Sequence, residues 1–338
     1  MATTLQQVAV RAGVSLATAS RVLNGSARTP REDVAARVQL AAAELGYVAN
    51  AQAQALARSS TGLIGLVVQD IADPYFSSIA AGVQSVAQEH GRQMLLASTN
   101  RDPATEHASV SAFMAHRTDA IILAGSRRTG SASGQDRLVQ LCAAYAKNGG
   151  TVAVIGQPVE DYISVEPHNA AGADRLAREL LAIGHRRFAL ITGQTWLRTS
   201  ADRIGAFTAA VGAQDDATIE WSIATDFTRD GAYDAATAQL ADLAPGTQPL
   251  CIFATTDVMA LGVLTACREL GLDVPGQVAV AGFDDINTLR DSSPSLTTVR
   301  LDLEGMGRAA ARLVTHPTAD VPRGFDADPI LRESTRLG

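Results

Sequence analysis

The chain of 338 residues is short of several things at once: it has one lysine, Lys147, three cysteines and 4% aromatic residues. Each shortage excludes something. No run of about 18 uncharged apolar residues occurs, which removes a spanning helix. The N-terminal stretch Met1-Ala-Thr-Thr-Leu-Gln-Gln-Val has neither a basic n-region nor an apolar h-region, so no export signal is legible and a cytoplasmic location is expected. Cys142, Cys251 and Cys267 are odd in number, widely spaced and set in apolar runs, and read as small core residues. His-Glu-x-x-His, G-x-x-x-x-G-K-[ST] and G-x-S-x-G are all missing, Lys147 falls in an expected helix, and six scattered histidines show no metal spacing. An enzyme is therefore not expected, and neither cofactor nor metal is.

A net charge of −7 argues against a nucleic-acid partner until the charges are placed along the chain. Residues 1–60 carry six arginines against Glu32, Asp33 and Glu44, a surplus of +3, so the rest carries −10. A small basic head precedes a large acidic body.

In the head, Leu5, Val8, Ala9 and Ala12 recur at one-face helical spacing, and Gly13 stops the helix. Ser15 is placed to cap a second helix that buries Ala19, Val22 and Leu23, with Val14 and Ala19 as a staple. The opposite face presents Ala17, Ser20, Arg21 and Asn24. Thr29-Pro30-Arg31-Glu32 reads as a capping box with proline at the first helical position of a third helix, closed by Val34, Val38, Ala41 and Leu45 and ended at Gly46. The pattern fits a helix-turn-helix better than a plain three-helix packing unit, and the local positive charge adds to the case for DNA.

Thr4-Leu-Gln-Gln-Val-Ala-Val-Arg-Ala-Gly-Val-Ser-Leu-Ala-Thr-Ala-Ser-Arg-Val-Leu-Asn24, followed by Glu44-Leu-Gly-Tyr47, resembles the DNA-binding head of the lactose-repressor (LacI/GalR) family. The resemblance implies that Leu16, Ala17 and Arg21 reach base edges, Arg21 being suited to guanine O6 and N7. Ser15, Thr18, Ser20 and Asn24 are expected on phosphates, with Thr4 and Tyr47 completing the DNA-binding set.

Asn50-Ala-Gln-Ala-Gln-Ala-Leu-Ala-Arg58 has a capping Asn and helix-favouring alanines but is too short to be a stable isolated helix. It reads either as a flexible linker or, by the resemblance, as a hinge helix that folds on DNA, with Asn50 and Ala53 at the contact and Leu56 a wedge in the minor groove. Ala49 stands where the family has proline.

From Leu63 onward, apolar runs alternate with amphipathic stretches: strands are expected at Leu63–Val68, Met94–Ala97, Ala120–Leu123, Val152–Ile155, Phe188–Ile191, Cys251–Phe253 and Val278–Ala281. Alternation of this kind gives doubly wound parallel sheets, and the length calls for two lobes dividing near Val159. Ligands of such sheets sit beyond the strand carboxyl ends. The stretches there are Asp70–Phe76, Gly125–Arg127, Thr199–Arg203, Thr225–Phe227, Thr255–Asp257 and Gly282–Asp285. Each alone is an ordinary turn or cap; together they gather carboxylates, a guanidinium and rings, a mixture suited to a sugar. Trp221 is expected in the core, and Trp196 either there or as a sugar platform.

Asp73-Pro-Tyr-Phe76, Gly184-His-Arg-Arg187, Arg203-Ile-Gly-Ala-Phe207, Asp257-Val-Met-Ala-Leu-Gly262 and Gly282-Phe-Asp-Asp285 extend the resemblance to the family's effector domain, itself like periplasmic sugar-binding proteins. The implied architecture is an all-α helix-turn-helix head (1–49), a hinge (50–61) and an α/β body (62–338). Its first lobe would span 62–160 and 290–320, its second 161–289 and 321–338, with three crossings between them. The resemblance implies Asp73, Tyr75 and Phe76 on the first-lobe wall, Ser126 as a hydroxyl, Arg203 and Asp284 on the ligand's polar edge, and Phe227 as the opposing platform. His168 and Thr256 complete the effector set, standing where the family has Asp and Asn, and Leu301 replaces a frequent Gln. The function implied is that of a homodimeric repressor of near-palindromic double-stranded operator DNA, controlled by a small carbohydrate effector. A purine- or corepressor-dependent regulator, or a sugar-binding protein without a DNA role, are the other readings.

Overall fold

The computed structural model describes residues 3–24, 30–48, 60–128, 133–243 and 248–337. The chain divides into two compact units, one through Gly62 and one from Leu63.

The first unit holds α1 (Leu5–Ala12), α2 (Leu16–Asn24) and α3 (Glu32–Glu44). Thr4 and Gln7 form a reciprocal capping box on α1. Gly13 ends it at φ 66°, a left-handed turn that glycine takes without steric penalty. Ser15 Oγ accepts from Thr18 N at 3.1 Å, the N-cap expected of α2. Val8, Ala9, Ala12, Ala19, Val38, Ala41 and Ala42 form the core. The third helix starts later than the sequence suggests: Arg31, at φ −54° and ψ 147° and without a side-chain cap bond, precedes Glu32. Pro30 therefore lies outside the helix, and Thr29 lies outside the described residues.

The second unit contains two parallel sheets. The first is ordered β11-β5-β4-β3-β1-β2, from β1 (Leu63–Val68), β2 (Gln93–Ser98), β3 (Ala120–Ala124), β4 (Thr151–Ile155), β5 (Ile163–Pro167) and β11 (Gly324–Phe325). The second is ordered β7-β6-β8-β9, from β6 (Arg187–Thr192), β7 (Thr218–Ala224), β8 (Leu250–Ala254) and β9 (Val278–Ala281). The central strands β3 and β8 are buried at every position, as continuous Ile/Leu/Val-type runs require when helices cover both faces.

Around the first sheet lie α4 (Pro74–Glu89), α5 (Pro103–Ala115), α6 (Ser133–Lys147) and α11 (Leu303–Thr315); with the second come α7 (Asn169–Ala182), α8 (Arg198–Gly212), α9 (Arg229–Leu240) and α10 (Asp257–Glu269). Glycines let α4 and α11 meet backbone to backbone: a Cβ on Gly82 would fall 2.1 Å from Glu304 O. An antiparallel pair, β10 (Thr298–Arg300) with β12 (Asp328–Ile330), finishes the second lobe.

Strand pairing corrects the expected lobe boundaries. β5 bonds to β4, so the first lobe runs to Pro167 rather than residue 160. The chain returns with α11 and stays through β11, which pairs with β5, so the returning piece is 303–325 rather than 290–320. The chain crosses between the lobes near 168, 301 and 327.

Candidate functional site

In the head, Leu16, Ala17 and Arg21 lie exposed along one side of α2, Leu16 at 46%. Ser15 and Thr18 bond each other through their hydroxyls at 2.8 Å, and Ser20 is half-buried. Thr4 serves as the α1 cap. Tyr47 is half-buried against the head core, its backbone N–H donating to Ala42 O at 2.9 Å. Asn50, Ala53 and Leu56 lie outside the described residues, as do Ala49 and the side chain of Asn24.

In the body, the strand ends of the two lobes face a shared cavity of about 480 Å³, counted out to its open mouth. Its floor is an ion pair. Arg203, on α8, is 2% exposed and donates from Nη2 to Asp284 Oδ1 at 2.8 Å, from Nε to Asn169 Oδ1 at 2.9 Å and from Nη1 to Thr255 O at 2.7 Å. The guanidinium also lies over the Phe283 ring, 3.7 Å from its centroid. These bonds use three of five N–H groups, so each Nη keeps one hydrogen outside them. Burial raises the Asp284 carboxyl, and the guanidinium opposes that shift. Asp284 sits at φ 118°, so the turn after β9 swings it toward Arg203, while its neighbour Asp285 binds Arg300 and Arg332 instead.

Across the cavity, Asp73 caps α4, accepting from Tyr75 N at 2.9 Å. Burial pushes its carboxyl up, partly offset by that N–H and by Arg101. Tyr75 and Phe76 meet edge to face with centroids 4.9 Å apart. Phe227 is buried, with the Arg101 guanidinium 5.5 Å from its ring centre. Thr256 lines the wall but is also the α10 cap, its hydroxyl accepting from Met259 N at 3.4 Å.

The lobes are tied at the mouth. Thr199 N donates to Ser126 Oγ at 3.1 Å, Gln157 Nε2 to Thr199 Oγ1 at 2.9 Å, and Arg198 N to Arg127 O at 2.8 Å. A backbone bridge joins Arg128 to Leu197. Ser126 is thus a latch as well as a wall residue.

The cavity gathers eight of the nine effector residues expected from sequence; His168 is not on its wall. His168 occupies the crossing before α7, half exposed, with Nδ1 3.2 Å from Asp326, and Pro167 lines the cavity in its place. Gln69 and Arg101 line it without having been expected. Arg101 lies three residues beyond the end of β2, at φ 61° in a left-handed turn. Trp221 is half-buried against the core, as expected; Trp196 is 36% exposed, under Arg128. Leu301 is buried.

Behind the floor, fully buried Asp257 ties α10 to the turn that carries Asp284. It accepts from Ile286 N at 3.0 Å and from the Thr298 hydroxyl. Burial pushes its carboxyl up to about 7 despite those bonds. The unfolded chain releases that proton near 4, so the folded body holds an extra proton between about 4 and 7. This contribution to stability is full below about pH 4 and is lost as pH rises through 7. Asp257→Asn should flatten that decline in urea-unfolding midpoints; the same decline in both proteins would contradict the assignment.

The three cysteines are buried and free, and burial pushes the Cys142 thiol up to about 11. Among the described residues no three His, Cys, Asp or Glu could hold a metal ion, and no helix is long and apolar enough to cross a membrane.

The family profile described as "Bacterial regulatory proteins, lacI family" matches residues 4–50, and the "Periplasmic binding protein-like domain" matches 177–335. The chain is 33% identical to the HTH-type transcriptional regulator GalS of Salmonella typhimurium, over 94% of this chain and 90% of that one. It is 33% identical to CelR of Thermobifida fusca, over 92% and 90%, and 30% identical to the repressor PurR of Proteus mirabilis, over 91% and 88%. A crystal structure of the lac repressor dimer bound to operator and the anti-inducer ONPF shares the fold, with a TM-score of 0.82 at 23% identity over the whole of both chains. A CelR–cellobiose complex matches with a TM-score of 0.67 at 30% identity over 98% and 99%. The chain therefore belongs to the lacI family of bacterial regulatory proteins and is a DNA-binding transcriptional regulator with a helix-turn-helix head and a periplasmic-binding-like body.

Proposed function

We propose that the protein is a homodimeric repressor whose operator affinity is set by a small carbohydrate bound between the lobes of its body. The observation that carries this reading is the Arg203–Asp284 pair on the cavity floor. A paired guanidinium and carboxylate, both buried, present fixed donors and acceptors to vicinal hydroxyls, and Tyr75, Phe76 and Phe227 supply ring faces for the C–H side of a sugar. The CelR–cellobiose complex supports the ligand class by likeness.

The latch supports the coupling. Ser126, Gln157 and Thr199 tie the lobes where the ligand would sit, so binding energy is available to favour one degree of closure over another. That shift would reach operator DNA through residues 50–61, where Leu56 is the proposed wedge. A gel-shift titration on the gene's own upstream region, with and without a panel of sugars, tests the reading. Specific binding whose midpoint moves with at least one sugar is expected, and failure to bind that DNA even at low salt would overturn it.

A further inference from the structure

Beyond Ser126 a second cavity continues from the first, sharing Gln69, Arg101 and Ser126 with it. Its walls are cationic. Arg101, Arg127 and Arg128 line it against a single carboxylate, Glu106. Arg127 is 8% exposed; its Nη1 donates to Glu106 at 2.6 Å, while its Nε and Nη2 are buried without a partner among the described residues. Arg101 Nε is buried and unpartnered in the same way. A buried charged donor left without an acceptor is destabilising. Glu106 pairs with Arg127, while Arg101 is drawn to Asp70, Asp73 and Asp226, none of which lines this cavity. Arg128, exposed, lies 3.9 Å over the Trp196 ring, which holds its charge at the cavity edge.

The two cavities thus differ in chemistry along one line. The inner one has Asp73 and Asp284 as acceptors for hydroxyls; the outer one has unpartnered buried donors and more guanidiniums than carboxylates on its wall. We infer that the effector is a carbohydrate carrying an anionic group, a phosphate or a carboxylate. Its ring is bound at Asp73, Arg203 and Asp284, and its anion among Arg101, Arg127 and Arg128. This rests on the effector-site reading above and adds the charge of the ligand to it. Guanidinium is the side chain best matched to both anions, because its N–H groups pair with two oxygens at once.

The chain has two tryptophans, so Trp221→Phe leaves Trp196 as a fluorescent reporter on the outer wall. Inorganic phosphate, titrated into the full chain at constant ionic strength, should change that emission saturably, with calorimetric titration of the unsubstituted protein as an independent reading. Half-saturation should rise at least about tenfold in Arg127→Gln, and at least about threefold in Arg128→Gln, an exposed position where misfolding does not confuse the result. Glucose 6-phosphate and glucuronate should each be compared with glucose, to separate phosphate from carboxylate; the preferred anion should bind at least about tenfold tighter than the neutral sugar. No saturable response to phosphate, equal responses in both variants, or tighter binding of glucose or cellobiose than of either anionic sugar would overturn the inference. A neutral sugar that binds and moves the operator titration would leave the repressor reading standing while removing the anion site. Loss of operator binding would do the reverse, since the phosphate titration is read without DNA.

Discussion

Arg203→Ala should make the body about 3–5 kcal/mol easier to unfold, the range seen when one partner of a buried ion pair is removed. The guanidinium is 2% exposed and its bonds reach Asn169, Thr255 and Asp284, which come from three separate segments of the second lobe. Alanine would strand the buried Asp284 carboxylate without its partner and leave a void over the Phe283 ring. Denaturant unfolding of the full chain measures the loss. The double substitution Arg203→Ala with Asp284→Asn should be less damaging than the two singles added together, because the second change removes the orphaned charge. Additive effects would mean that the pair is not coupled and that Arg203 acts only as filler. Effector binding should vanish in the same variant.

Arg21→Ala should weaken specific operator binding by about 1–3 kcal/mol, roughly five- to 150-fold, while scarcely moving affinity for unrelated DNA. The side chain stands exposed on α2 beside Leu16 and Ala17, so the fold should be unaffected. Leu16 and Ala17 offer only apolar contact, which leaves Arg21, of these three, as the group able to pair with a guanine edge in two bonds. A phosphate contact behaves differently: its loss weakens all sequences alike and reduces the salt slope by about one. Gel shifts on operator and scrambled duplexes at two salt concentrations distinguish the two, and an equal loss on both duplexes would reassign Arg21 to the backbone.

All but one of the strands legible in the sequence have continuous burial; β2, expected at Met94–Ala97, is exposed or half-buried throughout. β1, β3, β4, β6, β8 and β9 are short apolar runs covered on both faces, so burial alone marks them. β7 alternates between exposed and half-buried positions at the sheet edge, and β5 has only Val165 fully buried, so neither reads as a core strand. Missing β5 is what moved the lobe boundary to 160. At the site, polar residues directly after recognised strands were legible because a parallel sheet exposes its ligand face there. Arg101 was hidden by a left-handed turn at Asn100 and Arg101 that sequence does not announce, and His168 was misplaced because the crossing at Pro167 turns its side chain out to Asp326. The latch depends on pairings between lobes, such as Thr199 with Ser126, that no local pattern encodes.

The claim that a ligand on the Arg203–Asp284 floor governs DNA binding is tested most directly by titrating operator DNA with wild-type protein and Asp284→Asn in parallel, with and without the sugar that stabilises the wild-type body most. Both proteins should bind the operator equally without sugar, because the head is a separate compact unit. Only the wild-type midpoint should move when the sugar is added. An equal shift in Asp284→Asn would place the controlling ligand elsewhere and contradict the account.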